Sequence, residues 1–283
     1  MALNTRGWEA LLRLRFGNRK GRTRVVEREG YGPLALQRPF YPEDAVCHAY
    51  LLHPPGGVVG SDSLDIQLHL EPEAQALVTT PGATKFYRSG GRQARQTQVL
   101  RVESGALLEW LPQENIFFPG AQANVETRIE LAAGARFMGW DIQCLGRPVI
   151  DEAFSEGEVN AQTRVLVDGQ LVLIDQLRTR GRELLDAAAG MRGYPMQATM
   201  LIVNGAGAQA ASDPDPLLEQ VRQVLDTAPA GLEAGATCVE GILAIRLLGP
   251  RTEPMLQLLS QVWAQARPLV AGRAAVVPRI WAT

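Results

Sequence analysis

Cysteine is scarce in this chain: Cys47, Cys144 and Cys238 are the only three in 283 residues, and none lies in a C-x-x-C pair. That scatter argues against a disulfide framework and fits a reducing compartment. Histidine is equally sparse, with His48, His53 and His69 alone. No H-x-x-x-H or H-E-x-x-H spacing sets two of them on one helical face, so a closed structural metal site is not expected. An excess of positive charge is missing too. Lys and Arg number 28 against 30 Asp and Glu, which leaves no basic field for a phosphate backbone and makes nucleic acid an unexpected partner. Long apolar runs are also wanting: Arg6, Arg13 and Arg15 interrupt residues 1–17. Neither a signal peptide nor a membrane span is expected, and the chain reads as soluble and cytoplasmic.

What is present is apolar material in quantity. A hydrophobic content of 46% supports a sizeable core, and we expect one domain over 1–283, with a strand-rich body at 1–178 and a strand and helix extension at 179–283. Short alternating runs broken by Gly and Pro fill residues 8–178, the pattern of stacked or sandwiched strands. Leu64, Ile66, Leu68 and Leu70 alternate with polar residues, as do Val125, Thr127, Ile129 and Leu131. Asp168-Gly169 separates two apolar runs and predicts a hairpin, because Gly accepts positive φ cheaply. Further on, Ala198 to Val203 and Cys238 to Leu248 read as strands. Asp215-Pro216 reads as the start of a short helix with Leu218, Val221 and Leu225 on its apolar stripe. A longer helix begins near Thr252 to Pro254, carries Met255, Leu258, Leu259, Val262, Trp263 and Ala266 on one stripe, and should stop before Pro268.

Several motifs imitate known chemistry. The strand-like Met200 to Val203 feeds Gly205-Ala206-Gly207-Ala208-Gln209-Ala210, which mimics a dinucleotide fingerprint. Its helix would be cut short by Asp213-Pro214-Asp215-Pro216, and the surroundings are not βαβ units, so a nucleotide- or dinucleotide-binding enzyme stands only as the alternative function. Pro81-Gly82-Ala83-Thr84-Lys85 lacks the P-loop spacing and reads as a turn into a strand. No G-x-S-x-G elbow occurs, and Cys144 lies in an apolar strand pattern, so no catalytic residues are expected. His53 precedes Pro54-Pro55-Gly56-Gly57, an exposed turn, where it serves either as a solvent-facing side chain or as a metal contact.

More informative are acids in phase with core-facing residues, since an ionised carboxylate turned inward costs several kcal/mol unless paired, hydrated or cation-bound. Asp62 shares parity with Leu64, Ile66 and Leu68; Glu109 with Leu107 and Leu111; Asp141 with Phe137; Asp175 with Leu171, Leu173 and Leu177. Singly, each has a plain alternative as a strand-end acid paired with an arginine. Together they point to a wet, acidic interior route, whose oxygen ligands suit a divalent cation that must leave again.

From Arg38 onward, longer strings become specific. Arg38-Pro39-Phe40-Tyr41-Pro42-Glu43, Tyr50-Leu51-Leu52-His53-Pro54-Pro55-Gly56-Gly57-Val58-Val59-Gly60, Thr79-Thr80-Pro81-Gly82-Ala83-Thr84-Lys85-Phe86-Tyr87-Arg88-Ser89, Glu109-Trp110-Leu111-Pro112-Gln113-Glu114, Gly139-Trp140 and Pro278-Arg279-Ile280-Trp281 occur in order. The chain thereby resembles the UreD (UreH) family of urease accessory proteins, densely over 31–148 and diffusely over 149–277. Asp151-Glu152-Ala153-Phe154 departs from the family pattern, so the resemblance carries no role over to Glu152.

The resemblance implies a mostly β, β-helix-like stack of antiparallel and mixed strands, with about two to three helices mainly in the C-terminal third. It implies a protein that is not itself an enzyme and that bridges apo-urease to the F-type accessory protein and, through it, to the G-type GTPase. No cofactor would be tightly bound; nickel would pass in transit through an internal channel. Carried over by position, Asp62 follows the Pro-Pro-Gly-Gly-Val-Val-Gly string, Glu109 and Glu114 belong to Glu-Trp-Leu-Pro-Gln-Glu, and Asp141 follows Gly139-Trp140; Asp175 rests on parity alone. With His53 these are the candidate transit residues. Lys85, Phe86, Tyr87 and Arg88, and the tail residues Arg279, Ile280 and Trp281, are candidates for a partner interface or, equally, for covering the domain's own core.

Overall fold

The structure, a computed structural model, describes residues 7–205 and 216–282. A hairpin opens it: β1 (Glu9–Arg19) turns through Lys20 and Gly21, both at positive φ, into β2 (Arg22–Tyr31). After β3 (Ala35–Leu36) and β4 (Cys47–Leu52) on a second sheet, the chain begins to coil. One coil runs β5 (Ser63–Leu70), β6 (Gln75–Thr79), β7 (Thr84–Phe86), and the next β8 (Ala94–Val102), β9 (Leu107–Leu111), β10 (Asn115–Phe117). A third holds β11 (Gln122–Leu131) and β12 (Arg136–Arg147), followed by β13 (Glu152–Ala153). Then come β14 (Glu158–Val167), β15 (Gln170–Arg180), β16 (Met196–Asn204), α1 (Pro216–Leu225), β17 (Glu233–Val239), β18 (Ile242–Gly249) and α2 (Thr252–Ala271).

The first sheet has the order β15-β14-β11-β8-β5-β1-β2, and the second runs β17-β18-β16-β12-β9-β6-β4-β3. Inside each, successive coils pair in parallel: β1, β5, β8, β11 and β14 in one, β4, β6, β9 and β12 in the other. This is the expected solenoid-like stack, with about four turns. A short third side stacks Phe86 on Phe117, ring centroids 5.0 Å apart.

The two sheets differ in sequence because they differ in what covers them. The outer face of the first sheet meets water, so β5 alternates between buried and half-buried residues along its whole length. The second sheet is covered on both faces. Its inner face joins the core between the sheets, and its outer face packs Leu107, Met138, Ile202 and Ile245 against Val221, Leu258, Val262 and Trp263 of the helices. All five residues of β9 are accordingly buried, and no period-2 signal survives there.

Three expectations need correction. Cys238 to Leu248 is not one strand: Glu240 and Gly241 take positive φ and fold it into the β17–β18 hairpin. In α1 it is Leu217, Val221 and Leu225 that are buried, so the stripe begins one residue before Leu218. Most informatively, α2 runs past Pro268 to Ala271 and ends at Gly272, whose φ of 68° lets its N–H close on the Pro268 carbonyl. A proline here removes the bond to the Ala264 carbonyl, but burial of Val270 and Ala271 holds the last turn in place. Pro268→Ala restores that bond at an exposed position, and thermal unfolding should show a gain of about 1 kcal/mol, part of the helix-interior penalty being offset by the proline's stiffening of the unfolded chain.

Candidate functional site

Strand register explains how polar groups come to lie between the sheets. One inward row of the first sheet crosses from Leu12 to Ile66, Gln98, Thr127, Thr163 and finally Asp175. Its apolar end packs in the core, whereas its polar end faces a row of the second sheet formed by Asp141 on β12, Thr199 on β16 and Arg246 on β18. Three cavities follow this polar strip. The first, of about 170 Å³, is lined by His53, Gln96, Gln98, Asn115 and Asp141 and reaches the loops at Gly56 and Pro81. The second is a neck of about 20 Å³ where Thr127, Thr163, Thr199, Asp141 and Asp175 meet the apolar side chains of Trp110, Ile129, Phe137, Trp140 and Leu201, room for roughly one water molecule. The third, of about 620 Å³, opens at the end of the stack beside Asp175, Glu233 and Arg246. Asp141 and Trp110 belong to the first two walls, and Asp175 to the last two.

Asp141 keeps part of its surface clear of protein contact although protein surrounds it, the condition of a side chain facing an internal space. It accepts hydrogen bonds from Gln143 Nε2 at 2.6 Å and Asn115 Nδ2 at 3.3 Å. Burial pushes its carboxyl up to about 6; the Gln143 bond opposes this and the negative charge of Asp175 adds to it. Nearby, the buried Thr199 Oγ1 and Gln143 Oε1 have no protein partner. Asp175 accepts from Arg246 at 2.8 Å across the two sheets. Burial lowers the pKa of the His53 imidazole, against the pull of Asp62, which favours the neutral ligand form.

The other candidate acids lie elsewhere. Asp62 sits where Gly7 presses against the Ser61 backbone, so close that a Cβ on Gly7 would lie 2.1 Å from the Ser61 carbonyl. Its two oxygens accept the backbone N–H groups of Trp8 (2.8 Å) and Val59 (2.9 Å). Glu114 accepts from the Thr252 hydroxyl at 3.4 Å, beside the start of α2. Glu109 is fully buried, as its parity indicated, but on the helix-covered face: Trp263 Nε1 donates to it at 2.6 Å and Arg267 grips both its oxygens. Arg267 also binds Glu43, which accepts from His48 Nε2 or shares its proton at 2.7 Å. Burial works against ionisation of Glu43, yet the His48 and Arg267 bonds outweigh it and hold its pKa down at about 2.

Sequence reasoning missed Glu43, Arg246 and Arg267. The available signal was an arginine in phase with buried neighbours, Arg267 beside Trp263 and Val270 on the α2 stripe and Arg246 two residues from Ala244 on β18. Among the interface candidates, Phe86 is fully buried and offers a partner no surface. Tyr87 packs edge-on against Phe118, Arg88 pairs with Glu156, and Lys85 is half-buried. Trp281 lies against Trp140 and Trp263 and donates to Thr79 Oγ1 at 3.1 Å, while Arg279 is exposed and Ile280 half-buried.

Of the glycine-rich decoy, residues 206–210 lie outside the described residues. The strand before it, β16, is antiparallel to both β12 and β18, which is not the parallel setting of a dinucleotide site. Among the described residues, no three His, Cys, Asp or Glu side chains gather as a preformed metal cage. Burial raises the Cys47 thiol to about 11 and Cys144 to about 12, so neither supplies a thiolate at neutral pH. No described helix is long and apolar enough to cross a membrane.

A model of the family described as UreD urease accessory protein matches residues 9–282. The chain belongs to the UreD family. Among curated relatives, the urease accessory protein UreD of Aliivibrio fischeri is 46% identical over 286 residues, covering 98% of this chain and 97% of that one. Its counterpart from Escherichia coli is 45% identical over 277 residues, covering 98% of each chain, and that of Klebsiella pneumoniae 44% over 278, covering 98% and 96%. As UreD relatives match end to end, the match includes the cavity-lining strands as well as the dense motifs of residues 31–148.

Proposed function

We propose that this urease accessory protein acts in urease maturation without chemistry of its own, passing nickel(II) as cargo along the cavities between its two sheets. The observation that carries the reading is the pair Asp141 and Asp175 facing one small cavity, with Thr127, Thr163 and Thr199 beside them in a wall otherwise closed by Trp110, Ile129, Phe137, Trp140 and Leu201. Carboxylate and hydroxyl oxygens hold nickel more loosely than thiolate or imidazole would, so a cation can enter and leave. A neutral His53 in the first cavity, beyond Asp141, adds a nitrogen contact at the far end of the route. In this reading the protein bridges apo-urease to the F-type accessory protein and, through it, the G-type GTPase in the cytoplasm. The contact surface includes Lys85, Tyr87 and Arg88, with Val149 (92% exposed) and Ile150 on the neighbouring turn after Arg147, and Arg279 and Ile280 at the tail. Asp62, Glu109 and Glu114 act in it as structural acids.

The ion pair of Asp175 with Arg246 favours a second reading, a scaffold that assembles partners and conducts nothing. Co-expression of the urease structural and accessory genes separates the two. Omitting this gene should leave urease nickel-poor and inactive at equal urease levels; unchanged activity would reject both readings. Asp175→Asn should preserve the assembled complex while urease activation falls by about tenfold or more, a loss of the order seen when a metal-orienting group is removed. Full activation by that variant leaves the scaffold alone standing.

A further inference from the structure

We propose that Arg246 is the gate of this passage, its guanidinium occupying the Asp175 carboxylate until an incoming divalent cation displaces it. The inference rests on the passage reading and adds a residue that selects what enters. Arg246 carries the last side chain of the inward row Asp141, Thr199, Arg246 of the second sheet, and its bond to Asp175 at 2.8 Å ties that sheet to the first across the mouth. Arginine does not lose its charge in proteins, so what opens the pair is competition for the carboxylate by another cation. A fixed positive charge at the mouth also repels weakly bound cations, while a doubly charged ion competes better for the carboxylate.

The surroundings give the side chain somewhere to go. Arg246 is 53% exposed, against 17% for Asp175, so the arginine is the partner free to move. Its cross-strand neighbour on β17 is Gly235, on the same face of the sheet, and a Cβ there would meet nothing within 4 Å. Behind the pair, the buried Thr199 Oγ1 has no protein partner and faces the neck that Asp141 and Asp175 share. Once the guanidinium swings toward Gly235, Asp175 and Thr199 present oxygens to a cation bound for Asp141. When the cation moves on, Arg246 returns to Asp175 and closes the mouth behind it.

The test is activation of apo-urease by the complete accessory complex at graded nickel(II). Arg246→Gln should lower the nickel concentration for half-maximal activation by about fivefold, the effect of one unit charge at a half-exposed site. Arg246→Lys should restore much of the wild-type curve. Gly235→Leu, which fills the space the guanidinium needs, should shift the curve the opposite way. A merely structural arginine would lower the plateau without moving the midpoint. An Arg246→Gln curve that superimposes on wild type, or that loses its plateau with no shift in midpoint, overturns the gate. Asp141→Asn run in parallel tells the two failures apart: if it activates like wild type the passage itself is wrong, and if it fails while Arg246→Gln is unshifted only the gate is wrong.

Discussion

Arg267→Met should destabilise the folded chain by about 3–5 kcal/mol, the usual consequence of removing one partner from a buried ion pair. Arg267 is fully buried and binds Glu109 and Glu43 together, so its loss strands two carboxylates in a region with little water to screen them. The same side chain fastens α2 to β9 and to the loop before β4, and its Nη1 also donates to the Ala274 carbonyl at 2.5 Å. Thermal unfolding should fall on the order of 10 °C for a domain of this size, whereas Arg251→Met, at the exposed start of α2, should stay near wild type. Adding Glu109→Gln to Arg267→Met should recover part of the loss, because one stranded charge is then gone. Equal stability of Arg267→Met and wild type would show that the network contributes no net energy.

Acid titration gives an independent view of that network. Glu43 has its pKa depressed from 4.5 to about 2, so its contribution is complete above pH 4.5 and disappears as pH falls through about 2. Allowing for solvent screening, that shift corresponds to about 1–3 kcal/mol. Arg267→Met should flatten this acid limb as well as lower stability at neutral pH, since the guanidinium is one of the two groups that hold Glu43 ionised.

What the sequence revealed depended on how many faces of each strand are covered. β5 and β11 expose one face, so Leu64 to Leu70 and Val125 to Leu131 announced themselves by alternation. β9 is covered on both faces; parity correctly placed Glu109 among buried residues but could not say which of two buried faces it meets. The Asp168-Gly169 hairpin was legible from its glycine between two apolar runs, and Asp168 also tolerates the left-handed φ it adopts. Lys20-Gly21 and Glu240-Gly241 adopt the same pair of positive φ values with first residues that carry no such signal. For the site, Asp141 and Asp175 were found because each breaks an inward apolar pattern, although Asp175 keeps phase only with Leu173 and Leu177: the register shift at Val165/Leu166 leaves Leu171 53% exposed. Arg246 and Arg267 do so too, but a long cationic side chain on a buried stripe can also snorkel to water, so its parity alone carries less information. The coils repeat in space without repeating in sequence: each must only bury an inward face against its neighbours, which many apolar sets satisfy.

Asp141→Asn should make the protein more stable and less useful at the same time. The folded-state pKa of Asp141 is raised from 3.8 to about 6, chiefly by burial. Stability associated with its protonation is therefore fully present below 3.8 and is lost as pH rises through 6. At pH 7.5 the ionised carboxylate costs about 1–3 kcal/mol, the lower figure allowing for the solvent that a cavity wall admits. Asparagine carries no such charge, and turning over the Gln143 amide, whose Oε1 has no partner, supplies an acceptor for the new NH₂ group. Chemical denaturation should then show the variant more stable than wild type at pH 7.5 and equal to it near pH 4. If the passage reading holds, urease activation by the same variant should drop by about tenfold or more, as expected when a cation loses an anionic ligand. A variant no more stable at pH 7.5 than wild type would mean that the carboxylate is not carrying a buried charge. The combination expected here, an acid that weakens the fold at the pH where it works, is what a residue kept for cargo rather than for structure should display.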